Sequence, residues 1–319
     1  MDKKQRVIET LKGGIPDHVP TCFSLHFPGP RSFGAQGIAS HLEFFKKTDT
    51  DIFKIMNENL VPYAGDIKVP DDWNKIAAPD YTDKFIKDQI EMTVRILDSC
   101  DEEAFFAGTL HGTLASAIHP IESIYGYEGT RELLCAHLRE KPAPLYDAMK
   151  RLSEGMCRLA EKYLETGIDG IYYAALGGEK YYFTDEEFEE YIAPNDKMIL
   201  GEIKKQGGFN ILHMCKDILN LERYRSYGNL ADVVNWGVHE NNVSLEEGKD
   251  IFPDSVIMGG LANRSGVLVN GSDEELVQAV RDILASQGKL KFILGADCTL
   301  PTDIDYRRIK LICDTARSI

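Results

Sequence analysis

The stretch FNILHMCKD, residues 209–217, runs from an apolar segment into an imidazole, His213, and a thiol, Cys215, two residues apart. A His-x-Cys pair on its own is more often a packed strand end than a centre of chemistry, because a reduced cysteine behaves as a small buried apolar residue. What decides between the two is the fold in which Phe209–His213 sits as a strand.

Short β-branched or apolar runs of the same kind recur along the chain, at His18–Ser24, Asp51–Met56, Ala104–Leu110, Gly170–Ala174, Phe209–His213, Asp232–Trp236, Ser255–Gly260 and Lys291–Gly295. Between them lie amphipathic stretches, among them Asp83–Cys100, Ala143–Thr166, Asp185–Gln206 and Ser272–Gln287, with apolar residues at three- and four-residue spacings. Thr184 with Glu187, and Ser272 with Glu275, fit helix-starting capping boxes. Alternating strand and helix signals predict parallel βα units, and eight of them predict a (β/α)8 TIM barrel. An open doubly wound sheet would require a phosphate-binding glycine loop, which is missing. No linker or low-complexity stretch interrupts the pattern, so residues 1–319 read as one barrel domain, with Lys75–Asp80 and Asn263–Gly271 as ordinary connections.

Composition narrows the function. The chain carries 51 acidic against 36 basic residues, a net charge of −15 that repels phosphate backbones and anionic lipid surfaces. Nucleic-acid and membrane partners are not expected. The N-terminal MDKKQRVIETLKGG has no signal-peptide core, and no run approaches the roughly 18 apolar residues of a membrane span, so a cytoplasmic location is expected. Seven widely spread cysteines without CxxC spacing read as reduced thiols.

In a barrel of this kind chemistry gathers where the strands end. The residues following the eight runs are polar: His26 after the first; Asn57 and Glu58 after the second; His111 after the third; Glu179 after the fourth; His213 and Cys215 at the fifth; His239 and Glu240 after the sixth; Asp297 and Cys298 after the eighth. Residues i and i+2 of an extended strand point to one side, so His213 and Cys215 converge while Met214 faces the helices. The ends of strands five and eight face a common cavity, which brings Cys298 within reach. One imidazole and two thiolates suit zinc, and three protein ligands leave an open position, the mark of a catalytic site.

The blocks RVIETLKGGIPDHVP, GTLHGTLASAIHP, GIDGIYYAA, ILHMC, MGGLANRSGVLVNGSDEELVQAVRDIL and KFILGADCTLP resemble successive segments of the uroporphyrinogen decarboxylase superfamily over nearly the whole chain. That resemblance implies a (β/α)8 barrel in either of two branches. The porphyrin decarboxylases carry an arginine-rich loop after strand one, an aspartate after strand two and a histidine near strand eight; here stand FSLHFPGPRSFG with the single Arg31, then Asn57, then Cys298. The zinc-dependent corrinoid methyltransferases, of the methylcobamide:coenzyme M methyltransferase kind, carry a His-x-Cys on strand five and a Cys after strand eight as zinc ligands. His213, Cys215 and Cys298 fall on those places.

The resemblance implies methyl transfer between a corrinoid and a zinc-activated acceptor, most simply a thiol. The same site could serve as a demethylase, passing methyl from a methoxylated or N-methylated substrate to cobalt(I). A cofactor-free decarboxylase would also fit the superfamily, as would a non-catalytic metal-binding or corrinoid-docking protein. The chain lacks an Asp-x-His-x-x-Gly corrinoid motif, so a separate small corrinoid protein is the expected partner, and barrels of this superfamily often pair as homodimers. Relatives can supply a carboxylate ligand after strand six; here Gly237 stands near that place, which leaves the fourth position to His239, Glu240, water or substrate. His111 is the candidate acid or base, and His26, Asn57, Tyr172, Glu179 and His239 are candidate substrate contacts. An aromatic set, Tyr172, Tyr173, Tyr181, Tyr182 and Phe183, is expected either to wall the substrate or to pack strand four against its helix.

Overall fold

A computed structural model describes all residues, 1–319. Eight parallel strands form one sheet in the order β1-β8-β7-β6-β5-β4-β3-β2. They are β1 (Thr21–Cys22), β2 (Ile52–Ile55), β3 (Phe105–His111), β4 (Gly170–Ala175), β5 (Phe209–Met214), β6 (Val233–Trp236), β7 (Val256–Leu261) and β8 (Phe292–Ala296). Closure between β1 and β2 rests on Asp51. Its N–H donates to the Thr21 carbonyl at 3.1 Å, and its carboxylate accepts from the Thr21 N–H at 2.8 Å and the Thr21 hydroxyl at 2.9 Å. The arrangement is the expected (β/α)8 barrel.

Strands buried on both faces need apolar residues on both, and the two faces feed two cores. Inward side chains, including Cys22, Ile52, Phe105, Tyr172, Ile211, Val233 and Ile293, fill the barrel, with Val7 of helix α1 (Lys3–Leu11) packed into the same cluster. Outward side chains such as Leu212, Met214 and Trp236 join the larger layer between strands and helices. Arg6 of α1 ties that helix to the closure point, donating to Asp51 at 2.5 Å and to Asp17 at 2.7 Å.

The helical layer follows the amphipathic pattern, with differences that have local causes. Helices α2 (Gly34–Thr48), α3 (Lys84–Ser99), α4 (Thr113–Glu140) and α5 (Pro142–Glu165) cover the first half, and Asp273–Gln287 starts at the Ser272 capping box as expected. The stretch Asp185–Gln206, expected as one helix, starts at the Thr184 capping box but passes through a π-helical turn at Phe188–Ile192 before running regularly over Ala193–Lys205. Pro194 has no N–H to give to an i−4 carbonyl, and the wider turn absorbs the missing bond. α4 bends at Gly126, whose φ of 71° lies outside helical values. Of the two expected connections, Asn263–Gly271 carries a helical turn at Gly266–Asn270, while Lys75–Asp80 is irregular after the turn Pro70–Lys75 that precedes it. No helix is long and apolar enough to cross a membrane, and all seven cysteines are free of disulfides.

Candidate metal centre

β5 delivers His213 from its inward face, and Cys215 follows one residue past the strand end. Lys216, next in the chain, has a φ of 91°, so the backbone turns away directly after the thiol. Cys298 stands two residues beyond the end of β8. The structure brings these three together: one ligand atom from each lies within 4.8 Å of the others, and the two sulfurs are 4.0 Å apart.

The orientation of His213 suits an ion. Asn235, on β6 in register with His213, donates its amide N–H to the carbonyls of Met258 at 2.9 Å and Ala296 at 3.2 Å. Its Oδ1 therefore faces the other way, accepting from His213 Nδ1–H at 2.6 Å and from the Tyr172 hydroxyl at 3.1 Å. With the proton on Nδ1, Nε2 presents a lone pair, yet this buried atom has no hydrogen-bond partner in the protein. A buried imidazole nitrogen without a partner is costly unless something outside the chain occupies it. Flanked by two sulfurs, that lone pair fits a borderline-soft cation. The thiols are strongly linked: the hydrogen bond between them drives the Cys298 thiol well below the ordinary range, with His213 and Lys54 adding to the effect, and raises Cys215. A cation that binds thiols displaces their protons.

Asn235 is thus a positioning residue, and its removal is measurable. Asn235→Leu is expected to weaken metal binding about 10- to 100-fold by freeing the imidazole to rotate and change tautomer; a competitive chelator titration reads this directly, and an unchanged affinity would deny Asn235 the role.

A cavity of about 440 Å³ opens over the triad, lined also by Glu240, Arg264 and Asp297. Gly237 leaves room for Glu240 to fold back, since a Cβ there would stand 3.0 Å from Glu240 Oε2. Burial and the neighbouring Cys298 and Asp297 raise the Glu240 carboxyl. His239 instead turns to Asp297: its backbone N–H and its Nδ1 each lie 2.9 Å from Asp297 Oδ2, and that hydrogen bond raises the imidazole. Of the two side chains named for the open fourth position, Glu240 lines the cavity of the triad and His239 turns to Asp297. A larger depression of about 960 Å³, among Arg31, Glu43, Tyr306 and Arg308, contains no His or Cys.

The remaining expected contacts are spread differently. His26, half exposed, pairs through Nδ1 with Glu58 at 2.5 Å. His111 lies edge-on to His119 at 4.7 Å, and burial drives its imidazole down to about 3. It is neutral at ordinary pH. Asn57 is buried and accepts from the Asn59 N–H at 3.0 Å. Glu179 is fully buried, ion-paired with Arg131 and accepting from the Gly177 N–H at 3.0 Å, so it presents nothing to the cavity. The aromatic set does not form one wall: Tyr172 points into the barrel, Tyr173 points out to Asp196, Phe183 is buried in the helical layer and Tyr181 is exposed.

Two further residues of the site escaped the sequence pattern. Asn235, in DVVNWG, and Lys54, in DIFKIM, are polar residues within apolar strands, and such interruptions are the signal that points to them. Lys54 lies inside the barrel with its Nζ 3.4 Å from the centre of the Tyr172 ring, and burial brings its ammonium down to about 8.

Among known protein families and curated proteins, none matches this sequence. Solved structures do match. A methyltransferase from Methanosarcina mazei has a TM-score of 0.78, with 13% identity, over 100% of this chain and 98% of its own. A B12-independent methionine synthase from Shewanella sp. W3-18-1, solved in complex with selenomethionine, has a TM-score of 0.58 and 10% identity over 94% of this chain and 97% of its own. GH26A from Muricauda sp. MAR_2010_75 has a TM-score of 0.53 and 8% identity over 97% and 93%. At such identities the similarity is one of fold: this chain shares with them the (β/α)8 barrel, at whose strand ends its own His213, Cys215 and Cys298 converge.

Proposed function

We propose that the protein is a zinc-dependent methyltransferase of the corrinoid-linked branch of the uroporphyrinogen decarboxylase superfamily, moving a methyl group between a corrinoid on a separate small protein and a thiol acceptor. The observation that carries this is the buried, unpartnered His213 Nε2 set among the sulfurs of Cys215 and Cys298. Similarity of fold to a methyltransferase and to a methionine synthase supports it, as does the resemblance of the sequence blocks to that superfamily.

In this reading His213, Cys215 and Cys298 hold the ion, and Asn235 keeps the His213 proton on Nδ1. Bound zinc would lower the pKa of an acceptor thiol and present it as thiolate at neutral pH. The acceptor occupies the cavity between the triad and Glu240, with Arg264 and Asp297 on its walls. Its sulfur would be the nucleophile toward the methyl group, which the corrinoid would supply, keeping the carbon–cobalt electron pair as leaving group. The corrinoid protein docks over the barrel mouth. His111, packed edge-on against His119, contacts substrate on the β3 side rather than delivering a proton at neutral pH.

Incubating the zinc-loaded protein with methylcobalamin and a panel of thiols is expected to produce demethylated corrinoid, seen by its absorbance, together with a methyl thioether. If no thiol reacts while cobalt(I) corrinoid is methylated by an added methoxylated or N-methylated compound, transfer runs in the demethylase direction. Loss of carboxyl groups from a porphyrinogen would support a decarboxylase, and no turnover in either direction a non-catalytic docking protein.

A further inference from the structure

A lysine inside a barrel core needs an explanation. Lys54 is 7% exposed, its strand is buried along its whole length, and its ammonium pairs with no carboxylate. Its one specific contact is the face of Tyr172, at 3.4 Å. A cation–π contact recovers only part of the cost of taking an ammonium out of water. Tyr172 leads on to the triad: its hydroxyl shares Asn235 Oδ1 with His213, and its ring lies 5.5 Å from the His213 ring, centre to centre. Lys54 feels the charges of Cys22 on β1, Glu58 after β2, Cys215 after β5 and Cys298 after β8, and His111 at the end of β3 feels Lys54 in turn. Glu58 is already paired with His26. No carboxylate stands within ion-pair distance of the ammonium, and through Tyr172 it sits on the barrel side of the triad.

We propose that Lys54 is the counter-charge for a thiolate acceptor, making the metal centre selective for an anionic sulfur ligand over a neutral one. The proposal rests on the zinc-centre function given above and names the class of ligand that the centre takes. Charge counting carries it. Two thiolates and a neutral imidazole around a divalent cation sum to zero; an acceptor thiolate takes that set to −1, and Lys54 sets a positive charge against it from inside the barrel, while Glu240, Asp297 and Arg264 line the mouth side. A neutral ether or amine gains nothing from that charge. A thiol bound to the ion as thiolate would give its proton to solvent, one proton per thiol bound. Lys54 does not touch the reacting atoms and acts as a positioning and selecting residue.

Cobalt(II) in place of zinc makes the test spectroscopic. Wild type, Lys54→Met and Lys54→Arg are loaded with cobalt(II) and titrated with 2-mercaptoethanol, followed by the sulfur-to-cobalt charge-transfer band over a range of pH, and separately with imidazole, a neutral ligand. In Lys54→Met, thiol binding near pH 7 is expected to weaken about tenfold, with its pH midpoint moved up by about one unit, while imidazole binding stays within about twofold. Lys54→Arg, which keeps the charge, is expected to retain most of the thiol affinity. Methionine replaces a side chain with no hydrogen bond to lose, so Lys54→Met should melt no lower than wild type; Lys54→Gln provides a second neutral variant. A cobalt-loaded neutral variant that binds thiol as wild type does, or that loses thiol and imidazole equally, overturns the counter-charge role while leaving the metal centre standing. A wild-type protein that takes up no cobalt or zinc overturns the centre itself, and this inference with it.

Discussion

Cys298→Ala is expected to purify with less than a third of an equivalent of zinc, against about one equivalent in the wild type. Three protein ligands hold the proposed ion, and the thiolate from β8 is the one ligand not supplied by β5 or its end. Without it the ion retains only the His-x-Cys pair at one side of the mouth. If total binding is on the order of 10–16 kcal/mol, losing one ligand of three or four costs roughly 3–4 kcal/mol, several hundredfold in affinity. The fold should survive, because Cys298 is partly exposed and its sulfur touches little besides the triad and the Thr299 hydroxyl, at 3.8 Å. Metal analysis together with a thermal melt separates the outcomes. Wild-type protein without zinc, or a Cys298→Ala variant with as much zinc as the wild type, would sink the site; a variant that does not fold would be repeated as Cys298→Ser.

Glu179→Ala is expected to lose about 3–5 kcal/mol of folding stability, because it strands the Arg131 guanidinium in a buried place. Arg131 and Glu179 are 1% and 0% exposed in their side chains. The guanidinium also lies over the Tyr182 ring at 4.1 Å, and its Nε has no other partner. Glu179 in turn fastens the chain after β4: it accepts from the Gly177 N–H and pairs as a bridge with Leu219, beyond the Cys215 turn. Its removal costs twice, through an orphaned charge from α4 and a loosened loop beside the metal ligands. The double variant Arg131→Met with Glu179→Ala should recover much of the loss, since it leaves no buried charge behind. Urea unfolding measures all three; a single variant within about 1 kcal/mol of wild type would show that water or a neighbour takes over the arginine.

The period of the fold was readable because a strand covered on both faces must be apolar throughout, and such runs stand out between helices whose apolar residues recur at three and four. Ends were less readable. The first strand, expected over His18–Ser24, is only Thr21–Cys22, because Pro20 has no N–H to donate to a ladder. Of the site, His213, Cys215 and Cys298 could be picked out because residue type and strand-end position both mark them. Glu179 looked equally available, but its salt bridge reaches 48 positions back to Arg131, a partner that no local pattern names. Tyr172 and Tyr173 show the limit at its narrowest: two adjacent tyrosines on opposite faces of one strand, one over Lys54 inside the barrel and the other hydrogen-bonded to Asp196 outside it. Lys54 itself, one charge within DIFKIM, has meaning only once the strand's inward face is known.

The two strands that carry the ligands are not neighbours in the sheet, and 83 positions of chain separate Cys215 from Cys298. An ion gripping both would behave toward the unfolded chain as a removable cross-link, closing a long loop whose ends otherwise wander independently. Everything between those cysteines, β6, β7 and β8 with their helices, would then be tethered at both ends, and the grip of the last third of the barrel would follow the supply of free metal. A barrel built this way couples its persistence in a cell to the same ion that would equip it for chemistry.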